Sequence, residues 1–296
     1  PADYLGLMKL LIARQDQPIG ALLSEKGPLY QRLWRPFLLA ALNIDPPEGS
    51  SALAAAVIRE TLAKGGSACR PMIAHPTLAA AFIEPALSVL GKRGVALCLD
   101  HRLRAIRFEE GRVTGLEFGD ARMALRPQDS LVLAVPAPVA QELVPGLVAP
   151  QRFTAIVNAH FKIAPPQGQP PILGLVNATS EWLFAFPERL AVTISGADHL
   201  LDEPREALAE RIWSEVAKAT RLAAPGTTIP LPPWQILKEK RATFAATPAE
   251  NALRPTARTA WPNLILAGDW TRTGLPATIE GAIRSGDAAA QVVLST

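Results

Sequence analysis

One run near the C-terminal end, LILAGDWTRTGLPATIEGAIRSGDAAAQVVL over residues 264–294, holds the side chains most capable of chemistry. A short apolar strand delivers a carboxylate, Asp269, and a loop then leads to Ala277 and Thr278, which open a helix. The first turn of a helix leaves N–H groups without intrahelical partners and carries the positive end of the helix dipole. Thr278 and Ile279 therefore offer donors to an anion. A carboxylate beside a helix N-terminus suits a ligand that shows hydroxyls to the one and negative charge to the other. A reduced flavin does both, with its ribityl hydroxyls and its anionic N1–C2=O edge. Gly281 would let the helix backbone approach such a ligand closely. The plainer alternatives are that Asp269 caps a loop and that Arg272 and Arg284 are solvated surface charges.

Other chemistries find little support. Cys69 and Cys98 stand in no metal or CxxC spacing, and His75, His101, His160 and His199 are dispersed and read as structural. A disulfide scaffold or a zinc site is not expected, and a reducing compartment fits. The chain is 49% hydrophobic and 19% charged, which is globular composition. Its net charge is only +3, with lysine and arginine scattered, so the basic stripe of a nucleic-acid binder is missing. No signal-peptide pattern and no uncharged apolar run of ~18 residues is seen. The 28 prolines are about twice the usual ~5% and imply many ordered loops.

The elements that must position the C-terminal run can be read in outline. Residues 5–12 and 31–41 have helical spacing, the second interrupted by Pro36. Ser50 or Ser51 caps a further helix that Gly65 and Gly66 stop. A helix over 82–90 precedes three strands, 95–100, 102–110 and 112–119, the last two forming a hairpin about Glu110 and Gly111. LVLAVP at 131–136 and LILA at 264–267 are unalternating apolar strands, which predicts that they pack in one buried sheet. Residues 153–163, 171–176, 181–186, 190–195 and 234–244 read as strands of an antiparallel sheet, with an amphipathic helix over 203–221 packed on it.

The 264–294 run resembles the C-terminal flavin motif of the amine oxidase and phytoene desaturase superfamily. Five further stretches, LWRPFLLAALN (33–43), FIEPALSVLGKRG (82–94), LVLAVP (131–136), EWLFAF (181–186) and KRATFAATP (240–248), bring the resemblance closer to the squalene-associated flavoenzymes, the hydroxysqualene dehydroxylases. The resemblance covers nearly the whole chain in order. It implies FAD as cofactor. It places Gly268, Asp269 and Trp270 at the ribityl and diphosphate region, and Pro276, Ala277, Thr278, Ile279 and Gly281 at the isoalloxazine. Leu103, beside Arg102, is the nearest candidate for a backbone contact to adenine. Trp34, Phe37, Trp182 and Phe184 are candidates for an apolar substrate cavity, with ordinary core packing as the alternative.

The implied fold is α/β: an incomplete Rossmann-like FAD region interleaved with an α+β substrate region of antiparallel sheet plus helices. Residues 76–149 and 246–296 form the first, and 1–75 and 150–245 the second. The implied reaction is reductive dehydroxylation of hydroxysqualene to squalene in hopanoid synthesis, with carotenoid- or phytoene-type desaturation, or another amine oxidase-like flavoenzyme activity, as the alternative. The partner is an apolar polyisoprenoid, and the electron donor is left open. A cytosolic protein touching the membrane surface through 5–12 and 33–41 is expected, with ordinary core helices as the alternative. Members of the superfamily begin with a GxGxxG loop that cradles the diphosphate. No such loop occurs in this sequence, as expected of a chain that begins after that block. These residues by themselves are expected to hold FAD weakly, which keeps open an inactive fragment or an interaction scaffold.

Overall fold

In the computed structural model, residues 5–222 and 229–295 are described. The chain opens with α1 (Leu5–Ile12), α2 (Arg35–Leu42) and α3 (Ser51–Glu60). Ahead of α2, a single wide π turn, Tyr30–Trp34, absorbs the missing N–H and the bulky ring of Pro36. The same device recurs at Ala79–Ile83, just before Pro85 in α4 (Glu84–Lys92). Ser50 caps α3 by accepting a hydrogen bond from Leu53 N at 3.1 Å. Asn43 ends α2 in the left-handed region at φ 52° and joins it to the sheet described below.

Three sheets follow. The meander β1 (Ala105–Glu109), β2 (Arg112–Phe118) and β3 (Ala121–Ala124) is antiparallel, and Glu110 and Gly111 both take positive φ at its first turn. The residues 95–100 expected to form a strand are not in one, and their apolar side chains are exposed. Apolar alternation alone cannot make a strand without a neighbour to pair with. β4 (Leu131–Leu133) and β10 (Leu264–Leu266) pair in parallel, Leu131 opposite Leu264, so two segments 133 positions apart form one sheet as predicted. Burial is less complete than expected there, because Val132 is 42% exposed whereas Ile265 is covered by α8 (Ile279–Leu294).

The third sheet has the order β6-β7-β8-β5-β9, built from Ile172–Gly174, Trp182–Phe186, Arg189–Ile194, Phe153–Phe161 and Trp234–Phe244, all antiparallel. One face is buried by α6 (Arg205–Ala219). Val157, Ala159, Phe161, Leu183, Leu190 and Val192 meet Leu208, Ile212, Trp213 and Val216 in one apolar core. A second core joins Leu10, Leu38, Leu53 and Ile58 to Val113, Leu133, Ala140 of α5 (Ala137–Leu143), Phe244, Leu264 and Trp270. The apolar residues of 33–41 thus lie mainly in a core, with Leu38 fully buried, which favours the core alternative for that helix over a membrane contact. The short helix α7 (Pro248–Ala252) precedes the C-terminal run. Cys69 and Cys98 are free and exposed.

Candidate active site

The chain leaves β10 through Gly268, whose φ of 140° is open to glycine alone. A Cβ there would stand 2.5 Å from Trp270 Nε1 and 2.8 Å from its Cδ1. The Trp270 indole folds back into the core and donates to Val135 O at 2.9 Å, tying the end of β4 to the loop. Ser285 of α8 accepts from Gly268 N at 2.7 Å and donates to Ala282 O at 2.6 Å. The Trp270 side chain is therefore committed to the core, and its backbone is what the loop can offer a ligand.

Beneath this loop lies Arg254, the largest fully buried side chain among the described residues. Its Nη2 donates to Asp269 O at 3.1 Å, to Thr271 O, and to Thr273 Oγ1 at 3.1 Å; its Nη1 donates to Asn251 Oδ1 at 3.1 Å. The guanidinium also lies over the Phe244 ring, 4.8 Å from its centroid. Burial pushes its pKa down to about 10, with Asp269 opposing that shift. The Asp269 carboxyl is raised above its usual range by burial, against the pull of Arg254 and of backbone N–H groups. Arg272 is not merely solvated, since its Nε donates to Arg254 O at 3.1 Å and its N–H to Pro255 O at 2.8 Å.

The loop ends at the N-terminus of α8. Thr278 caps it, its Oγ1 accepting from Gly281 N at 3.0 Å, so other first-turn N–H groups remain directed out of the helix end. A Cβ at Gly281 would sit 3.0 Å from Pro276 O and 3.2 Å from Thr278 Oγ1, so the closeness it permits is to its own loop. Pro276 is buried, Ala277 packs on the core that holds Trp270, and Ile279 is exposed. Leu103, just before β1, packs on that same core. Arg284 pairs with Glu280 at 2.7 Å and Glu60 at 3.4 Å on the surface, as the sequence suggests.

The antiparallel sheet presents a second candidate surface on its face away from α6. Cross-strand register puts Ile172, Phe184, Ala191, His160 and Gln235 in one row, and Gly174, Trp182, Thr193, Asn158 and Leu237 in the next. Phe184 and Trp182 are half-buried on this face, whereas Trp34 and Phe37 belong to the other core, Trp34 only 3% exposed. At one end of the face a cavity of about 670 Å³ is lined by His75, His160, Phe186, Arg189, Trp234 and neighbours. Burial, then the nearby Arg189, hold the His160 imidazole below its ordinary value, and its Nδ1 is buried with no hydrogen-bond partner among the described residues.

Sequence reasoning did not single out Arg254 and read His160 as structural. His160 had a usable signal, because it shares strand parity with Asn158 and opposes Val157, Ala159 and Phe161. Arg254 had none, since nothing in NALRPTART marks a buried cation. No cluster of histidine, cysteine or acidic side chains among the described residues could hold a metal, and no described helix is long and apolar enough to cross a membrane.

Residues 19–294 match the family described as flavin containing amine oxidoreductase. The hydroxysqualene dehydroxylase of Rhodopseudomonas palustris is 56% identical over 99% of this chain, which spans 69% of that protein. The hydroxysqualene dehydroxylase of Sinorhizobium fredii is 52% identical over the same shares. Among solved structures, an oxidoreductase from Methanosarcina mazei aligns with TM-score 0.68 and 14% identity over 99% of this chain and 71% of its own. Cyclohexylamine oxidase from Brevibacterium oxydans aligns with TM-score 0.59 and 16% identity over 94% and 68%. These two likenesses concern the fold.

Proposed function

The chain belongs to the flavin-containing amine oxidoreductases, and we propose that it is an FAD-dependent enzyme that replaces the hydroxyl of hydroxysqualene by hydrogen, giving squalene. The observation that carries the substrate is the likeness, over 99% of the chain, to enzymes bearing that activity in their names. The half-open sheet face agrees with a long apolar ligand. Trp182, Phe184 and Leu237 offer apolar surface there, and burial is worth ~25 cal/mol per Å².

The residues fit the cofactor. A desolvated carboxylate, Asp269, stands at a strand end as an acceptor for hydroxyls, and a capped helix N-terminus follows it with donors for an anionic edge. FAD, when bound and reduced, supplies the two electrons that exchange of C–OH for C–H requires. The chain's part is to hold that cofactor through Asp269 and the first turn of α8, to grip the polyisoprenoid by shape, and to keep water out. His160, its imidazole held below its ordinary value by burial and by Arg189, adds no charge of its own to a cavity that Arg189 and Lys162 also line. The substrate lives in lipid, which places the working protein at a membrane surface.

The test is anaerobic turnover of the FAD-loaded, reduced protein with hydroxysqualene. Squalene should form in equal amount to the flavin reoxidised. Desaturation of phytoene by the oxidised protein, with no squalene from the first assay, would overturn the reading in favour of a desaturase. Flotation with liposomes tests the membrane contact, and the protein should rise with the vesicles.

A further inference from the structure

We propose that Arg254 is the positioning residue of the cofactor site: its buried guanidinium sets the shape of the Gly268–Thr273 loop and keeps the Asp269 carboxylate ionised for the ligand's hydroxyls. This rests on the assignment of Asp269 to the flavin above.

The geometry is that of a template. Three acceptors spread over five residues, Asp269 O, Thr271 O and Thr273 Oγ1, converge on one nitrogen, Nη2. The other terminal nitrogen reaches back to Asn251 Oδ1, and Asn251 Nδ2 in turn donates to Asp16 Oδ2 at 2.8 Å. The loop is thereby referred to a fixed frame rather than to solvent. A planar guanidinium can hold acceptors at set angles, while an ammonium on the same stem cannot. Among the described residues Arg254 also has no carboxylate within ion-pair distance, so no ion pair offsets its charge there. A cation that is buried without an ion pair is costly, and its field is felt strongly at short range. The group nearest to profit is Asp269, whose own burial favours the protonated form and whose ionisation Arg254 supports.

The charged groups around Asp269 are few. Arg254 acts on it from below, and Arg272 sits beside Arg254, hydrogen-bonded to its backbone. Glu280, in the first turn of α8, is exposed and pairs with Arg284. Loss of the Arg254 charge therefore removes the main cation holding Asp269 ionised.

The experiment is titration of FAD into the protein, followed by flavin fluorescence, from pH 6 to pH 8. Wild-type affinity should vary little over that range. Arg254→Gln should bind FAD at least tenfold more weakly at pH 7, and its affinity should fall further as pH drops, because Asp269 then takes up a proton. Arg254→Lys keeps the charge and loses the fork, so its affinity should be reduced but flat with pH. Adding Asp269→Asn to Arg254→Gln should abolish the pH dependence. A flat profile in Arg254→Gln, or affinities of both Arg254 variants within twofold of wild type, overturns the proposal. If Arg254→Gln does not fold, Arg254→Lys decides alone: a wild-type affinity overturns the template role. Should Asp269→Asn by itself leave FAD affinity unchanged, the assignment of the site fails instead, which is a separate outcome.

Discussion

Replacing Gly268 by alanine isolates the local constraint that shapes the cofactor loop. Two costs are legible in the structure. First, a φ of 140° lies in a region that side chains with a Cβ avoid, at roughly 1–3 kcal/mol of backbone strain. Second, the new methyl would overlap the Trp270 ring at 2.5 and 2.8 Å, and that ring has no free space because it is packed in the core. Moving it breaks the 2.9 Å bond from Nε1 to Val135 O and leaves a buried donor and acceptor unpaired, at roughly 1–3 kcal/mol. Together these predict a loss of roughly 2–6 kcal/mol. Gly286 of α8 is the internal control. A Cβ there meets nothing within 4 Å and its φ is ordinary, so Gly286→Ala should stabilise by roughly 0.5–1 kcal/mol. Urea unfolding followed by circular dichroism reads both. Equal midpoints for Gly268→Ala and wild type, or a loss in Gly286→Ala as large as that in Gly268→Ala, would refute the reasoning.

Asp269→Ala should weaken FAD binding by roughly 1.5–3 kcal/mol, read by flavin fluorescence titration, since one charged hydrogen-bond partner is lost. On the sheet, Leu183→Ala should cost roughly 2–5 kcal/mol in an unfolding titration because Leu183 is fully buried against α6. Its neighbours Trp182 and Phe184, changed to alanine, should raise KM for hydroxysqualene far more than they lower the unfolding midpoint. For Glu215, burial raises the carboxyl, but the hydrogen bonds it accepts from Ser180 N at 2.7 Å and Thr179 N at 2.9 Å outweigh this and leave it below its ordinary value of 4.5. A depressed acid adds stability above its unfolded pKa and loses it as pH falls through the folded one. Glu215→Gln should therefore lower the urea midpoint at pH 7 and make little difference at pH 3; an equal loss at both would count against the ionised form.

Much of this molecule follows from local patterns. The aromatic and β-branched runs at 153–161, 182–186 and 189–194 point to strands, and each finds its neighbour in the sheet. Pro36 announces a break in its helix, and Thr278 and Ser50 announce caps, since each acts on atoms within four residues of itself. The Asp269 to Gly281 run is legible for the same reason: strand, loop and helix N-terminus are contiguous. What the sequence by itself could not decide is everything that depends on a partner far along the chain. Residues 95–100 have the composition of a strand but no neighbour to bond. Trp34 and Trp182 look alike as apolar aromatics, yet one enters a core made with Leu264 and Phe244 and the other stands on an open sheet face. Arg254 shows the limit most clearly. Its charge reads as solvent-exposed in any window of sequence, and folding of the 268–276 loop over it supplies most of the acceptors that make burial tolerable, because a buried cation needs counter-charges or hydrogen-bond acceptors to converge on it.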